Sequence, residues 1–180
     1  VEIAYLRQGT GPPVLLHHGF GADHHANWVA PGVFDGLVGA GRDVIALDAR
    51  GHGVSGKPHE PEAYADNAMA RDVKALLDHL GFESVDIVGY SMGSIVSSIV
   101  VPSEPRARSL VLGGVGGHLV KGRVPIDRKA VAGALLADDP SAVDNPVARG
   151  FRQFVDSTGA DRLALAAMQQ ARDVERIPDL

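Results

Sequence analysis

Residues 85–93 read VDIVGYSMG and place a serine between two glycines directly after a short apolar run. The run predicts a buried strand, and the apolar residues Ile95, Val96 and Ile99 predict a helix after the serine. In this pattern the serine lies on a strained turn, its hydroxyl projects above the sheet, and the glycines let helix and strand approach closely. The positive end of the helix favours an anion at the same spot. Ser91 is therefore the candidate nucleophile, and the alternative is a tight connection with an ordinary surface serine.

Short apolar strands alternate with helical patterns on both sides of this stretch. Such alternation is typical of parallel βαβ units and predicts an α/β fold with a mostly parallel sheet. The predicted strands are Val1–Leu6, Val14–His17, Val44–Leu47, Val85–Val88 and Leu110–Leu112. The predicted helices between them are Trp28–Val38, Ala63–Leu80 and the segment after Ser91.

The pattern changes after Gly117, where helical segments follow one another with no strand between them. These segments are Pro125–Asp138, Val143–Ser157 and Asp161–Glu175. We therefore expect residues 1–117 to form the α/β core and residues 118–180 to form an all-helical region. The alternative is that these helices simply cover the sheet.

Composition and charge exclude several classes of function. The chain has 180 residues, a net charge of -5 and no cysteine, so disulfides, thiolate metal sites and a cysteine nucleophile are excluded. No long run of Lys or Arg could follow a phosphate backbone, which argues against nucleic acid as a partner. Without a stretch long enough to span a membrane or a signal sequence, we expect a cytoplasmic protein that binds a small neutral or apolar substrate.

Four motifs in order support a family resemblance. They are His18-Gly19-Phe20-Gly21, Asp48-x-Arg50-Gly51-His52-Gly53-x-Ser55, Gly89-Tyr90-Ser91-Met92-Gly93 and Ser109-Leu110-Val111-Leu112. Together they closely resemble the α/β-hydrolase fold superfamily over residues 1 to about 117, followed by a cap-like region.

The resemblance implies an oxyanion hole and a cap over the active site. Carried onto this chain, the main-chain N–H groups of Met92 and Phe20 would bind the oxyanion. A serine at the elbow favours acyl transfer over the haloalkane dehalogenase and epoxide hydrolase branches, whose nucleophile is an aspartate. Carboxylesterases, lactonases, cofactor-free perhydrolases and carbon-carbon bond hydrolases remain open. We expect a serine hydrolase that cleaves an ester or related acyl compound without a cofactor or metal.

The chain departs from the family pattern in its triad. The acid and the histidine of such enzymes follow later strands, whereas His118 is the only histidine after Ser91 here. We expect His118 to be a cap or pocket residue and the true acid and base to lie beyond Leu180. A catalytically silent binding module or fragment is the alternative. A sheet without its last strands would expose an edge and favour self-association into a homo-oligomer.

Three further patterns and one residue have competing interpretations. The residues His17, His18, Asp23, His24 and His25 cluster in sequence, but their spacing matches no zinc pattern, and His18 is expected to orient the oxyanion loop. Asp48, Arg50 and His52 could be read as acid and base, but we expect a turn at the end of a strand with a structural interaction between Asp48 and Arg50. Gly19-x-Gly21 imitates a dinucleotide-binding loop, yet His24 stands where that motif needs a small residue. Trp28 is expected in the core or a pocket wall.

Overall fold

The computed structural model describes residues 1–117 and 126–171 and contains a five-stranded sheet. Its strands in chain order are β1 (Tyr5–Gln8), β2 (Pro13–His17), β3 (Asp43–Leu47), β4 (Val85–Tyr90) and β5 (Ala107–Gly113). They lie in the order β1-β3-β2-β4-β5, with β1 antiparallel to β3 and every other pair parallel. The predicted α/β class with a mostly parallel sheet is confirmed.

Six α-helices accompany this sheet in the described parts of the chain. They are α1 (Val33–Gly39), α2 (Ala68–Leu80), α3 (Met92–Val100), α4 (Arg128–Leu136), α5 (Pro146–Thr158) and α6 (Arg162–Gln170). None of the helices in residues 1–117 and 126–171 has the length and apolar character needed to cross a bilayer.

Two predicted helices differ from the structure, because each contains backbone that no helix accommodates. The helix predicted over Trp28–Val38 is a π-helical turn over His25–Val29 and then α1, separated at Gly32, whose φ is +78°. The helix predicted from Ala63 begins at Ala68, since Asp66 and Asn67 have φ values of +55° and +54°. The predicted strand Val1–Leu6 is observed as β1, which begins four residues later.

The two faces of the sheet carry separate cores. On one face Leu15, Ile45 and Ile87 pack with residues of α2 and α3. On the other face Val14, Leu16 and Val44 pack with Trp28 and Phe34, so that Trp28 is a core residue as expected. Both faces of β2 and β3 are therefore buried, which explains why these strands read as continuous apolar runs.

Helices α4, α5 and α6 begin at side-chain caps that the sequence supplies. The carboxylate or amide oxygens of Asp127, Asn145 and Asp161 each accept a main-chain N–H in the first turn. The buried Arg152 of α5 donates to the carbonyls of Ala134 and Ala137 and thereby satisfies the C-terminal end of α4. No strand occurs in residues 126–171, in agreement with the helical prediction for that stretch.

The turn after β3 is organised by the buried carboxylate of Asp48. One oxygen accepts the main-chain N–H and the ring N–H of His24 at 2.8 Å each, and the other accepts the Val54 N–H at 2.9 Å. A β-carbon on Gly53 would lie 2.0 Å from this carboxylate, so the close approach requires glycine. Burial alone would raise the pKa of Asp48, but these hydrogen bonds outweigh it and lower the pKa.

The expected ion pair between Asp48 and Arg50 is wrong. Arg50 instead pairs with Asp72 of α2 and donates to the carbonyl of Ala63. The interpretation of the motif as a structural turn nevertheless holds, because Asp48 ties the segment at His24 to the segment at Val54.

We expect Asp48→Asn to lower the free energy of unfolding by about 2 kcal/mol at pH 7. The amide would direct its own N–H₂ at a main-chain donor and leave a buried hydrogen bond unmade. Urea denaturation monitored by circular dichroism measures the change. The exposed Asp138 offers the control substitution Asp138→Asn, and an equal effect of the two substitutions would contradict this account.

Candidate active site

Ser91 stands at a strained turn between β4 and α3. Its φ and ψ are +50° and −111°, a conformation that L-residues rarely adopt. A β-carbon on Gly93 would lie 2.1 Å from the carbonyl oxygen of His17, and one on Gly89 would lie 2.5 Å from that of Gly93. The glycines on either side of Ser91 are therefore required by backbone contact, and the sharp turn predicted from the sequence is observed.

The side chain of Ser94 stabilises this turn by hydrogen bonds to the main chain. Its hydroxyl lies 2.8 Å from the carbonyl oxygens of Gly89 and Gly113, and the main-chain N–H of Ser91 also donates to Gly113. The end of β5 therefore helps to hold the turn in place. The Ser91 side chain itself is half-buried and has no hydrogen-bond partner within the described residues.

Two main-chain N–H groups near Ser91 are available to bind an oxyanion. Met92 is the first residue of α3, so its N–H has no acceptor within the helix. The Phe20 N–H, in the loop after β2, donates to no acceptor in the described part of the chain. By contrast, the N–H of Gly19 is occupied, because it donates to Asn27 Oδ1 at 2.7 Å. Of the neighbouring N–H groups of Gly19 and Phe20, that of Phe20 is therefore the one available to a ligand.

The loop that carries Phe20, residues 18–22, is fixed by a buried imidazole. His18 Nε2 accepts the Ala49 N–H at 3.0 Å, so the ring proton is on Nδ1 and is donated to the Gly19 carbonyl at 2.8 Å. Burial lowers the pKa of His18, which keeps this neutral tautomer in place. The expectation that His18 orients this loop agrees with these contacts.

An open pocket of about 330 Å³ lies above Ser91. Among the described residues no charged side chain lines it, and its polar side chains are those of Asn27, Tyr90 and Ser91. The remaining lining residues are Gly19, Phe20, Ala22, Val147, Gly150, Phe151 and Phe154. The pocket is thus mainly apolar, with a few polar groups gathered near the serine.

Helix α5 forms the roof of this pocket and contacts the loop of residues 18–22. The rings of Phe151 and Phe20 meet edge to face with centroids 5.6 Å apart. The Thr158 hydroxyl donates to the Gly21 carbonyl at 2.9 Å, and a β-carbon on Gly21 would lie only 3.0 Å from Val155. Helix α5 therefore packs directly against the loop of residues 18–22.

The structure brings together Ser91, Met92 and Phe20, but no general base accompanies them in the described residues. His118 and the chain beyond residue 171 lie outside the described ranges.

The sequence analysis did not identify Asn27 or the pocket-lining face of α5. The signal for that face was available in the spacing of Val147, Gly150, Phe151 and Phe154, which is i, i+3, i+4 and i+7.

Three buried imidazoles lie behind the loop of residues 18–22. The ring centroids of His17 and His18 are 6.1 Å apart, and those of His18 and His52 are 5.0 Å apart. Neither ring nitrogen of His17 has a hydrogen-bond partner among the described residues. Burial, reinforced by the neighbouring imidazoles, lowers the pKa of His17 and lowers that of His52 to about 3. No group of three metal-ligating side chains occurs in residues 1–117 and 126–171.

Comparison with known proteins establishes the family. The model of the alpha/beta hydrolase fold matches residues 12–173, so this chain belongs to the α/β-hydrolase family. The resemblance inferred from the four motifs is confirmed.

One relative is the dihydrolipoyllysine-residue acetyltransferase component of an acetoin cleaving system from Pseudomonas putida. It is 34% identical over an alignment of 171 residues, and the match covers 87% of this chain and 45% of that protein. Epoxide hydrolases, diacylglycerol lipases and a non-heme haloperoxidase are also among the relatives. The chain spans between about a fifth and a half of the length of these curated relatives.

Two solved structures show the same architecture. The bottromycin epimerase BotH has a TM-score of 0.74 and 26% identity, and the match covers 98% of this chain and 73% of that one. An esterase from Exiguobacterium antarcticum has a TM-score of 0.72 and 21% identity, and the match covers 98% and 71%. The first catalyses epimerisation by its name and the second is an esterase, so the shared fold alone does not define the reaction.

We expect the stability of the protein to fall as the pH drops below about 6.5, the ordinary pKa of histidine. Folding lowers the pKa of His17, so the unfolded chain binds more protons than the folded chain in this pH range. The free energy of unfolding therefore falls by up to about 1.4 kcal/mol per pH unit for each such buried imidazole. His17→Leu should reduce the slope of unfolding free energy against pH between 5 and 6.5 by about that amount.

Urea denaturation at a series of pH values measures this slope. His25→Leu, at an exposed histidine, is the matched control. If both variants keep the slope of the unsubstituted protein, His17 does not contribute to acid sensitivity.

Proposed function

We propose that this protein is a serine hydrolase that cleaves an ester or a related acyl compound. The observation that carries the proposal is the position of Ser91, on a strained turn at the base of an uncharged pocket, beside the unoccupied N–H groups of Phe20 and Met92. A nucleophile and two convergent donors are what acyl transfer requires at its tetrahedral intermediate.

In the proposed reaction Ser91 Oγ attacks the carbonyl carbon of the substrate. The new C–O bond forms as the carbonyl π electrons move to oxygen, and the resulting oxyanion accepts hydrogen bonds from Phe20 and Met92. Collapse of this intermediate breaks the bond to the alcohol, which leaves with a proton, and an acyl-serine remains. Water then attacks this acyl-serine and releases the acid. The Ser91 proton needs a general base, which we place, with its acid partner, outside the described residues.

We further propose that residues 118–180 form a helical cap over this site. Helix α5 supports the proposal, because it supplies four of the residues that line the pocket above Ser91. The uncharged lining favours a small neutral acyl or ester substrate, since a charged group would lose hydration there without gaining a partner.

A catalytically silent binding module is the second candidate. It is favoured by one observation, namely that the Ser91 hydroxyl contacts no base within the described residues. Without a base the hydroxyl is a weak nucleophile, although the pocket would still hold a ligand.

Labelling of the intact protein with a fluorophosphonate probe distinguishes the two candidates. We expect stoichiometric labelling of Ser91, and Ser91→Ala should abolish it and reduce p-nitrophenyl acetate turnover by about 10³-fold or more. Ser84→Ala, at an exposed serine before β4, is the control and should leave both unchanged. Ligand binding without Ser91 labelling would overturn the hydrolase proposal and support the silent module.

A further inference from the structure

Gly150 interrupts an otherwise bulky face of α5. Val147, Phe151 and Phe154 lie with it on the side of the helix that lines the pocket above Ser91. Val147 and Phe154 remain 57% and 43% exposed, so this face is not sealed by other residues in the described part of the chain. Gly150 is therefore the one position on that face that contributes no side chain.

Packing against the protein does not explain this glycine. Where the β-carbon of residue 150 would stand, no atom of another part of the described chain lies within 4 Å. By comparison, the β-carbon positions at Gly89 and Gly93 meet backbone atoms at 2.5 and 2.1 Å. Gly150 is exposed and lines the pocket, so a larger side chain at 150 would extend into open space at the pocket without displacing a neighbour among the described residues.

Backbone conformation does not explain it either. Gly150 lies inside α5, which runs from Pro146 to Thr158, and it does not have the positive φ that favours glycine. Glycine is a poor helix former, so its presence here works against the stability of α5. The same holds for Gly133 of α4, so neither argument alone assigns a role to Gly150. What sets Gly150 apart is that it lines the pocket above the candidate nucleophile.

We propose that Gly150 is a specificity-determining residue, whose missing side chain leaves room on the α5 side of the pocket for a bulky, uncharged group of the substrate. This proposal rests on the proposed ester hydrolysis for the identity of that substrate. The group is uncharged because no charged side chain among the described residues lines the pocket, and it can be aromatic because Phe20, Phe151 and Phe154 line it.

The test compares small and bulky esters in the intact protein. The selectivity ratio is kcat/KM for p-nitrophenyl acetate divided by kcat/KM for p-nitrophenyl benzoate, and ethyl and benzyl acetate give a second ratio for the alcohol side. We expect Gly150→Ala to raise at least one of these ratios by about 10-fold and Gly150→Val to raise it further. The reason is that one extra carbon in an apolar pocket changes selectivity by about 10-fold or more.

Gly133 provides the matched control. It lies inside α4, its β-carbon position also has no neighbour within 4 Å, and it does not line the pocket. Gly133→Ala and Gly133→Val should leave both ratios within about 2-fold of those of the unsubstituted protein. Gly133→Ala and Gly150→Ala should each raise the thermal unfolding midpoint by about 2–4 °C, because alanine is the better helix former. Unchanged ratios in Gly150→Val, or an equal shift in Gly133→Val, would overturn the proposal.

Binding separates this proposal from the proposed hydrolysis. In the Ser91→Ala background, which removes the nucleophile, Gly150→Val should weaken binding of p-nitrophenyl benzoate at least 10-fold more than it weakens binding of p-nitrophenyl acetate. If the unsubstituted protein hydrolyses no ester but this difference is found, the hydrolase proposal fails and the role of Gly150 stands. Ethyl and benzyl acetate are compared in the same way for the alcohol side. Equal weakening of the small and the bulky ester in both pairs, or no binding of either bulky ester to any variant, would overturn the role of Gly150.

Discussion

The structure depends on one close contact, in which the first turn of α3 presses against the end of β2. The β-carbon position of Gly93 lies 2.1 Å from the carbonyl oxygen of His17, so only glycine allows this approach. The contact forces the chain to turn sharply at Ser91, where a positive φ stores strain of about 1–3 kcal/mol that the surrounding packing must offset. Ser91 at this turn and Gly19, Phe20 and Ala22 of the loop that follows β2 line the same pocket.

That loop is supported on several sides, and each support joins a different part of the chain. His18 connects the carbonyl of Gly19 to the main chain at Ala49, and Asn27 occupies the N–H of Gly19. On its outer side the loop contacts α5 through Phe20 and Gly21. The loop is thus held in place by contacts with three other parts of the chain, which is the preorganisation that the proposed oxyanion hole requires.

The strands and the turn at Ser91 could be predicted from the sequence because short apolar runs and flanking glycines are local signals. The start of α2 could not, since the left-handed conformations of Asp66 and Asn67 interrupt an apolar spacing that continues through them. The partner of Arg50 was also out of reach, because its pairing with Asp72 depends on how α2 packs against the turn. Asn27 carries no motif, and its contact with Gly19 exists only in three dimensions.

The most direct test of this account is a crystal structure of the intact protein after reaction with a small alkyl phosphonate. The account predicts a covalent bond from Ser91 Oγ to phosphorus, with the phosphoryl oxygen about 2.7–3.1 Å from the nitrogens of Phe20 and Met92. The alkyl group should then lie under α5. A phosphonate attached elsewhere, or a phosphoryl oxygen that contacts neither nitrogen, would contradict the assignment of this site.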